Sequence, residues 1–311
     1  MVFKHTVIAA CIIFYLGHSN ITLAQDSIKP YPEFPAQIRK DRISAVVISE
    51  AVLLTGSMAG LYSIWYKDKT NSAFHFFNDN AEWNQMDKSG HVAGAYHIAR
   101  LTHLSARWAG MSNKNAVLYG SILSTAFMSC IEVFDGLSPE YGASAGDLVA
   151  DAGGILIFAG QELLWNEQRI SIRYSWHPSI YSKYRPELLG SNPMEQIVKD
   201  YNGITIWASI NPKSFIKESS LPSWLNIALG YGVEGMTGAF NNPSYNDKGQ
   251  YIPNFQRRQQ VYLSLDIDLK RLNVRSKTLK YFLHAVDFIK IPMPTLEYDA
   301  KEGLRFWPVY F

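Results

Sequence analysis

Residues 43–66, 116–134 and 144–165 are three apolar stretches, each near the roughly 20 residues needed to cross a bilayer. Between the first two lies a segment of helical period, residues 87–110, that carries His91, His97, Arg100, His103 and Arg107. Such a segment cannot face lipid all round. It must sit inside a bundle or line a wet cavity. The first apolar stretch is broken only by Glu50 and small polar residues, and it ends in Trp65-Tyr66-Lys67, a composition suited to a membrane interface. The third opens with Ser144-x-x-Asp147, a capping pattern. Gly56-x-x-x-Gly60 and Gly90-x-x-x-Gly94 would let two helices approach closely. In a water-soluble bundle the same residues would serve packing alone.

The first 24 residues read as an address. A short basic start, an apolar run over residues 6–17 and a polar exit ending Leu23-Ala24 form a secretory signal peptide, with a mature start at Gln25. Cys11 sits in a lipoprotein-like box, but the apolar run continues past it, so export without lipidation at Cys11 is expected. The other cysteine, Cys130, falls in an apolar helix, where burial would keep its thiol unreactive. Two cysteines exclude a disulfide framework and a cysteine-based zinc cluster. The net charge is +2, with no Lys/Arg run, which argues against a nucleic-acid partner. Low charge, 18% of residues, and 14% aromatics exclude disorder.

Beyond residue 168 the period shifts from 3.6 towards 2. Val261, Leu263, Leu265, Ile267 and Leu269 alternate with Tyr262, Ser264, Asp266 and Asp268, the pattern of a half-buried strand. Residues 203–210, 224–234 and 303–311 also read as strands. Five or six strands are too few for a closed membrane barrel. The expected fold class is therefore α+β. A membrane-associated bundle of about four helices (residues 25–167) precedes an antiparallel β region (residues 168–311), with a Pro/Tyr/Ser-rich connection at 177–199.

Two motif matches carry little. Gly142-Ala143-Ser144-Ala145-Gly146 fits a nucleophile elbow, but a loop precedes it where the elbow needs a strand, so Ser144 reads as a helix cap. Gly230-x-Gly232-x-x-Gly235 fits a dinucleotide fingerprint, yet no helix follows to receive a pyrophosphate. Acidic groups at helical spacing are more informative. Asp87 and His91 are four apart, Glu132 and Asp135 three apart, and Asp147 and Asp151 four apart. Convergence of these six would give a catalytic or binding site able to pair an acid with a base, or to hold a divalent cation. A purely structural ion-pair network is the competing use. Arg100, His103 and Arg107 form a second stripe, suited to lipid headgroups or phosphate, or to pairing with Glu50.

The ordered set Asp87-Lys88-x-x-His91, Glu132-x-x-Asp135 and Gly142-x-Ser144-x-x-Asp147-x-x-x-Asp151-x-x-Gly154 resembles the YfiM family of uncharacterised, predicted periplasmic lipoproteins over about residues 40–165. More distantly it is similar to VanZ-like membrane proteins, which have Asn where Asp151 stands. The resemblance implies a polar site in the cell envelope of a Gram-negative bacterium, at the outer membrane or the periplasmic membrane surface, and no assured reaction. Membrane lipids, and envelope proteins as further partners, follow from it. The expected function is binding or processing of an envelope lipid or lipid-linked glycan, and the alternative is a non-catalytic scaffold of the outer membrane.

Overall fold

The computed structural model describes residues 31–66 and 72–311, so the expected signal peptide and Cys11 lie outside the described residues. The chain is α+β. Four long helices come first: α1 (Lys40–Trp65), α2 (Met86–Trp108), α3 (Asn113–Gly136) and α4 (Ala145–Trp165). Two of them start on serine caps. Ser112 Oγ accepts from the Asn115 amide for α3, and Ser144 Oγ accepts from the Asp147 amide at 3.2 Å for α4. Ser144 is thus the helix cap that its sequence context indicates. α1, α3 and α4 are long and apolar enough to cross a membrane, whereas α2 is not among them.

The polar helix α2 is the axis of the bundle. It packs against α3 and α4 on two sides and against the start of the sheet on a third. The close approaches are not where the glycine motifs suggested. A Cβ at Gly56, Gly60 or Gly90 would meet nothing within 4 Å, and one at Gly94 only the end of Met128. Instead a Cβ at Gly120 would stand 2.4 Å from the Ala99 carbonyl, and one at Gly154 would stand 2.3 Å from the Val92 carbonyl. These two glycines bring α3 and α4 into backbone contact with α2. Spacing alone could not distinguish a contact glycine from an exposed one.

The sheet is a meander of six antiparallel strands in sequence order: β1 (Ile170–Trp176), β2 (Ile204–Ile210), β3 (Leu225–Glu234), β4 (Arg258–Ile267), β5 (Met293–Asp299) and β6 (Gly303–Tyr310). Short helices α5 (Pro186–Leu189), α6 (Pro193–Lys199), α7 (Pro212–Phe215) and α8 (Lys277–Ala285) lie in the connections. On β1 and β2 the apolar side faces α2. There Ile172 packs with Ala93, Tyr96 and Ala99, and Ile204 joins Trp83 and Met86 in a second cluster. The helical and strand-rich parts therefore share their core.

Across β3–β6 the apolar side is the exposed one. The register aligns Leu229, Leu263, Leu296 and Phe306 in one row and Tyr231, Val261, Tyr298 and Leu304 in the next. All of these but the half-buried Tyr231 are exposed, Leu304 at 70%. The opposite face is buried and polar around a Trp207–Ala228–Tyr262 cluster, with Ser264, Asp266, Thr295, Glu297 and Asp299 each at most 3% exposed. So β4 is a strand, as its alternation indicates, but its apolar side points outward. Its polar side is buried because charged partners await it there. Arg173 reaches Asp266 at 3.0 Å and Asp287 at 2.6 Å, and Lys270 reaches Asp287 at 2.8 Å. Gly230 and Gly232 belong to β3, where they leave room for the Trp207 and Tyr262 rings, so they form no phosphate loop.

Cys130 lies in α3 as expected, yet on its outer, exposed side. Gly154→Val, which drives a side chain into α2 backbone, should lower stability by about 3 kcal/mol or more, beyond ordinary overpacking. Gly56→Ala should leave stability unchanged or raise it by about 0.5–1 kcal/mol through helix propensity. Thermal unfolding of the purified protein in detergent compares the two.

Candidate functional site

The first turn of α2 is preceded by an unusual entry. Trp83, Asn84 and Gln85 all have positive φ (48°, 51° and 64°), and the buried Trp83 and a Tyr231 hydroxyl bonded to the Asn84 carbonyl hold them there. Non-glycine residues in this region carry strain of order 1–3 kcal/mol each, retained where the surroundings fix it. The entry delivers Asp79 and Glu82 to the same place as Asp87, Lys88 and His91. The N-terminus of α4 arrives from the other side with Asp147 and Asp151, and α3 contributes Glu132 and Asp135.

Lys88 is the hub. Its ammonium lies 2.6 Å from Asp79, 2.8 Å from Asp147 and 3.4 Å from Asp87. Asp87 also accepts from the Tyr201 hydroxyl at 2.6 Å. One turn along α2, His91 Nδ1 donates to Asp151 Oδ1 at 3.0 Å, and the ring lies 3.9 Å from Asp147 and from Glu132. Glu132 Oε2 accepts from the Ser144 amide at 2.8 Å, and the Ser144 hydroxyl donates to Asp79 at 2.6 Å. Glu132 Oε1 and Asp151 Oδ2 take no hydrogen bond among the described residues, although both side chains are about 95% buried. Asp135 stands a turn away and accepts from the Tyr66 hydroxyl at 2.7 Å. The structure thus brings five of the six expected residues around Lys88 and His91 and puts the sixth, Asp135, on the wall of the adjoining cavity.

That cavity, about 530 Å³, has a mixed lining. Asp79, Glu82, Asp87, His91 and Asp147 contribute polar wall, and Met58, Leu61 and Trp65 of α1 with Phe127, Ile131 and Phe134 of α3 contribute apolar wall. Ahead of α2 the local field is already visible in ionisation. Burial first, then the charges of Asp79 and Asp87, push the Glu82 carboxyl up to about 7. Asp79 is also raised by burial, but hydrogen bonding with Asp147, Lys88 and Ser144 outweighs that and holds it below the usual carboxylate range.

Two donor sets have the spacing of a cation site: Asp87, His91 and Asp147, and His91, Glu132 and Asp151, with ligand atoms within 4.8 Å of one another. Both use His91, and the Lys88 ammonium already fills the space between Asp79 and Asp147. A divalent ion at the first set would have to displace that ammonium.

The second stripe goes elsewhere. Arg100 is buried and donates to the His284 carbonyl at 2.7 Å. His103 is buried against Asn113 at 2.8 Å, and Arg107 lies over the Phe34 ring and donates to the Met111 carbonyl. Glu50 is bonded by Ser105 and Tyr119 rather than by the stripe. Reading by sequence misses Asp79, Glu82, Tyr66 and Tyr201 as site residues. No helical spacing links Asp79 or Glu82 to the others, because a strained turn intervenes.

A family model described as "Predicted periplasmic lipoprotein (DUF2279)" matches residues 75–159. The match takes in all of α2 and α3 and most of α4, with all six expected site residues, and it supports an exported protein of the cell envelope. Comparison with curated proteins and with solved structures gives no match.

Two substitutions test the electrostatics. Lys88→Met leaves three carboxylates without their cation and should destabilise the fold by about 3–5 kcal/mol, as breaking a buried ion pair does. For Glu82 the folded state binds the proton more tightly than the unfolded chain. Its stabilising contribution is therefore complete below about pH 4.5 and lost as pH rises through about 7. Glu82→Gln should remove that decline, read from thermal midpoints between pH 5 and 8.

Proposed function

We propose that the helical bundle binds an amphiphile of the envelope, a lipid or lipid-linked glycan. Its polar head sits at the Asp/Glu/His/Lys cluster and its chain between α1 and α3. The observation that carries this reading is one cavity whose lining combines the charged side chains at the entry of α2 with apolar side chains of two helices of membrane-spanning length. Carboxylates are acceptors, and Glu132 Oε1 and Asp151 Oδ2 take no hydrogen bond among the described residues, so a head rich in hydroxyl or amine donors complements this wall. Should the head be processed as well as held, His91 is the proton carrier and Asp151 orients its ring, the usual division between a base and its positioning group.

The alternative, a scaffold with no ligand, draws on one observation: Lys88 and His91 both already have carboxylate partners within the protein. Gly90 separates the two readings. It lines the cavity, and a Cβ there meets nothing within 4 Å. Gly90→Leu should keep or slightly raise the thermal midpoint and abolish amphiphile retention in native mass spectrometry from mild detergent. Retention at wild-type stoichiometry would sink the cavity reading. Asp151→Asn should reduce retention or turnover at normal abundance if the site is functional, whereas a scaffold would lose folded protein in proportion to any phenotype.

A further inference from the structure

We infer that the outer face of β3–β6 lies against the acyl chains of a bilayer, so that this chain meets hydrocarbon with strands as well as with helices. The inference stands apart from any ligand in the cavity.

Four observations support it. An antiparallel sheet in water buries its apolar side and wets its polar side, and here the order is opposite. The rows Leu229–Leu263–Leu296–Phe306 and Tyr231–Val261–Tyr298–Leu304 carry no charge and lie on the outside. Second, the inward side holds buried ion pairs around the Trp207–Tyr262 cluster. Arg173, Asp266, Asp287 and Lys290 are all at most 1% exposed, and Gln260 donates to Glu297 inside at 3.0 Å. Polar inside and apolar outside is the arrangement of membrane strands.

Third, β3 and β4 are each 10 residues long, within the roughly 9–11 residues a tilted strand needs to cross hydrocarbon. At one end of the sheet Arg258 pairs with Glu234 and Glu302, whereas the two outward rows carry no charge. Fourth, the helices present the same surface. Ile48, Val52 and Leu53 on α1, Leu118 on α3, and Val149 and Leu164 on α4 are each more than 60% exposed. A protein partner would need to cover both the helices and the sheet with apolar surface. A bilayer supplies that surface to both at once.

The test uses full-length protein with Cys11 and Cys130 replaced by alanine and a single bimane label at Leu263→Cys, reconstituted in phosphatidylethanolamine/phosphatidylglycerol vesicles. Strong quenching by lipids brominated at mid-chain, with little quenching by aqueous iodide, is the expected result. Quenching by iodide instead places the face in water and overturns the inference. Quenching by neither means that protein covers the face, and overturns it equally. Leu229→Cys and Phe306→Cys supply two further reporters on the same row, so poor folding of one variant leaves the test intact.

Discussion

Helix α2 carries Asp87, Lys88, His91, His97, Arg100, His103 and Arg107 within 23 residues, and no side of it tolerates hydrocarbon. The rest of the fold is arranged to enclose it. α3 and α4 come to backbone contact through Gly120 and Gly154, and β1 closes another side with Ile172. Enclosure of a polar helix by apolar neighbours sets where charge can go: inward, and near an end. The acidic cluster lies at the entry of α2 because there the first turns of α2 and α4 and the last turns of α3 reach the same level.

The sheet solves the same problem separately. Its inner side holds Arg173, Asp266, Lys270 and Asp287 in mutual ion pairs, and its outer side is apolar. Buried ion pairs contribute little net stability but are severely damaging when one partner is removed. Both interiors therefore fix geometry more than they add stability. In the helical part that geometry keeps several carboxylates within a few ångströms of one imidazole and one ammonium.

Much of this was legible in the residues. Apolar stretches of the right length located α1, α3 and α4, and the polar stripe showed that α2 had to be internal. Alternation found β4, and five of the six proposed acidic and imidazole residues do meet. What alternation cannot reveal is which side of a strand faces in, because the period is the same for both orientations. That is decided by what covers the sheet: Asp287 and Lys290, far along the chain, supply the inner partners of Arg173 and Asp266. The glycines illustrate a similar limit. Gly120 and Gly154 lie in no Gly-x-x-x-Gly pair, and their role depends on which carbonyl stands opposite. Asp79 and Glu82 were invisible as site residues because three left-handed residues, not a helical repeat, bring them in.

The pairing of Arg173 with Asp287 joins residues 114 positions apart. Every strand pairs with its neighbour in the sequence, so β1 to β4 can zip together by local contacts alone. Yet Arg173 on β1 has only half its anionic partners until the segment between β4 and β5 arrives. A nascent sheet that stopped at β4 would hold an under-neutralised guanidinium on the side destined for the interior. The order of synthesis thus separates strand pairing from charge neutralisation. The sheet can form its hydrogen bonds early, but its interior becomes dry and ionically complete only when the chain beyond α8 folds back over it.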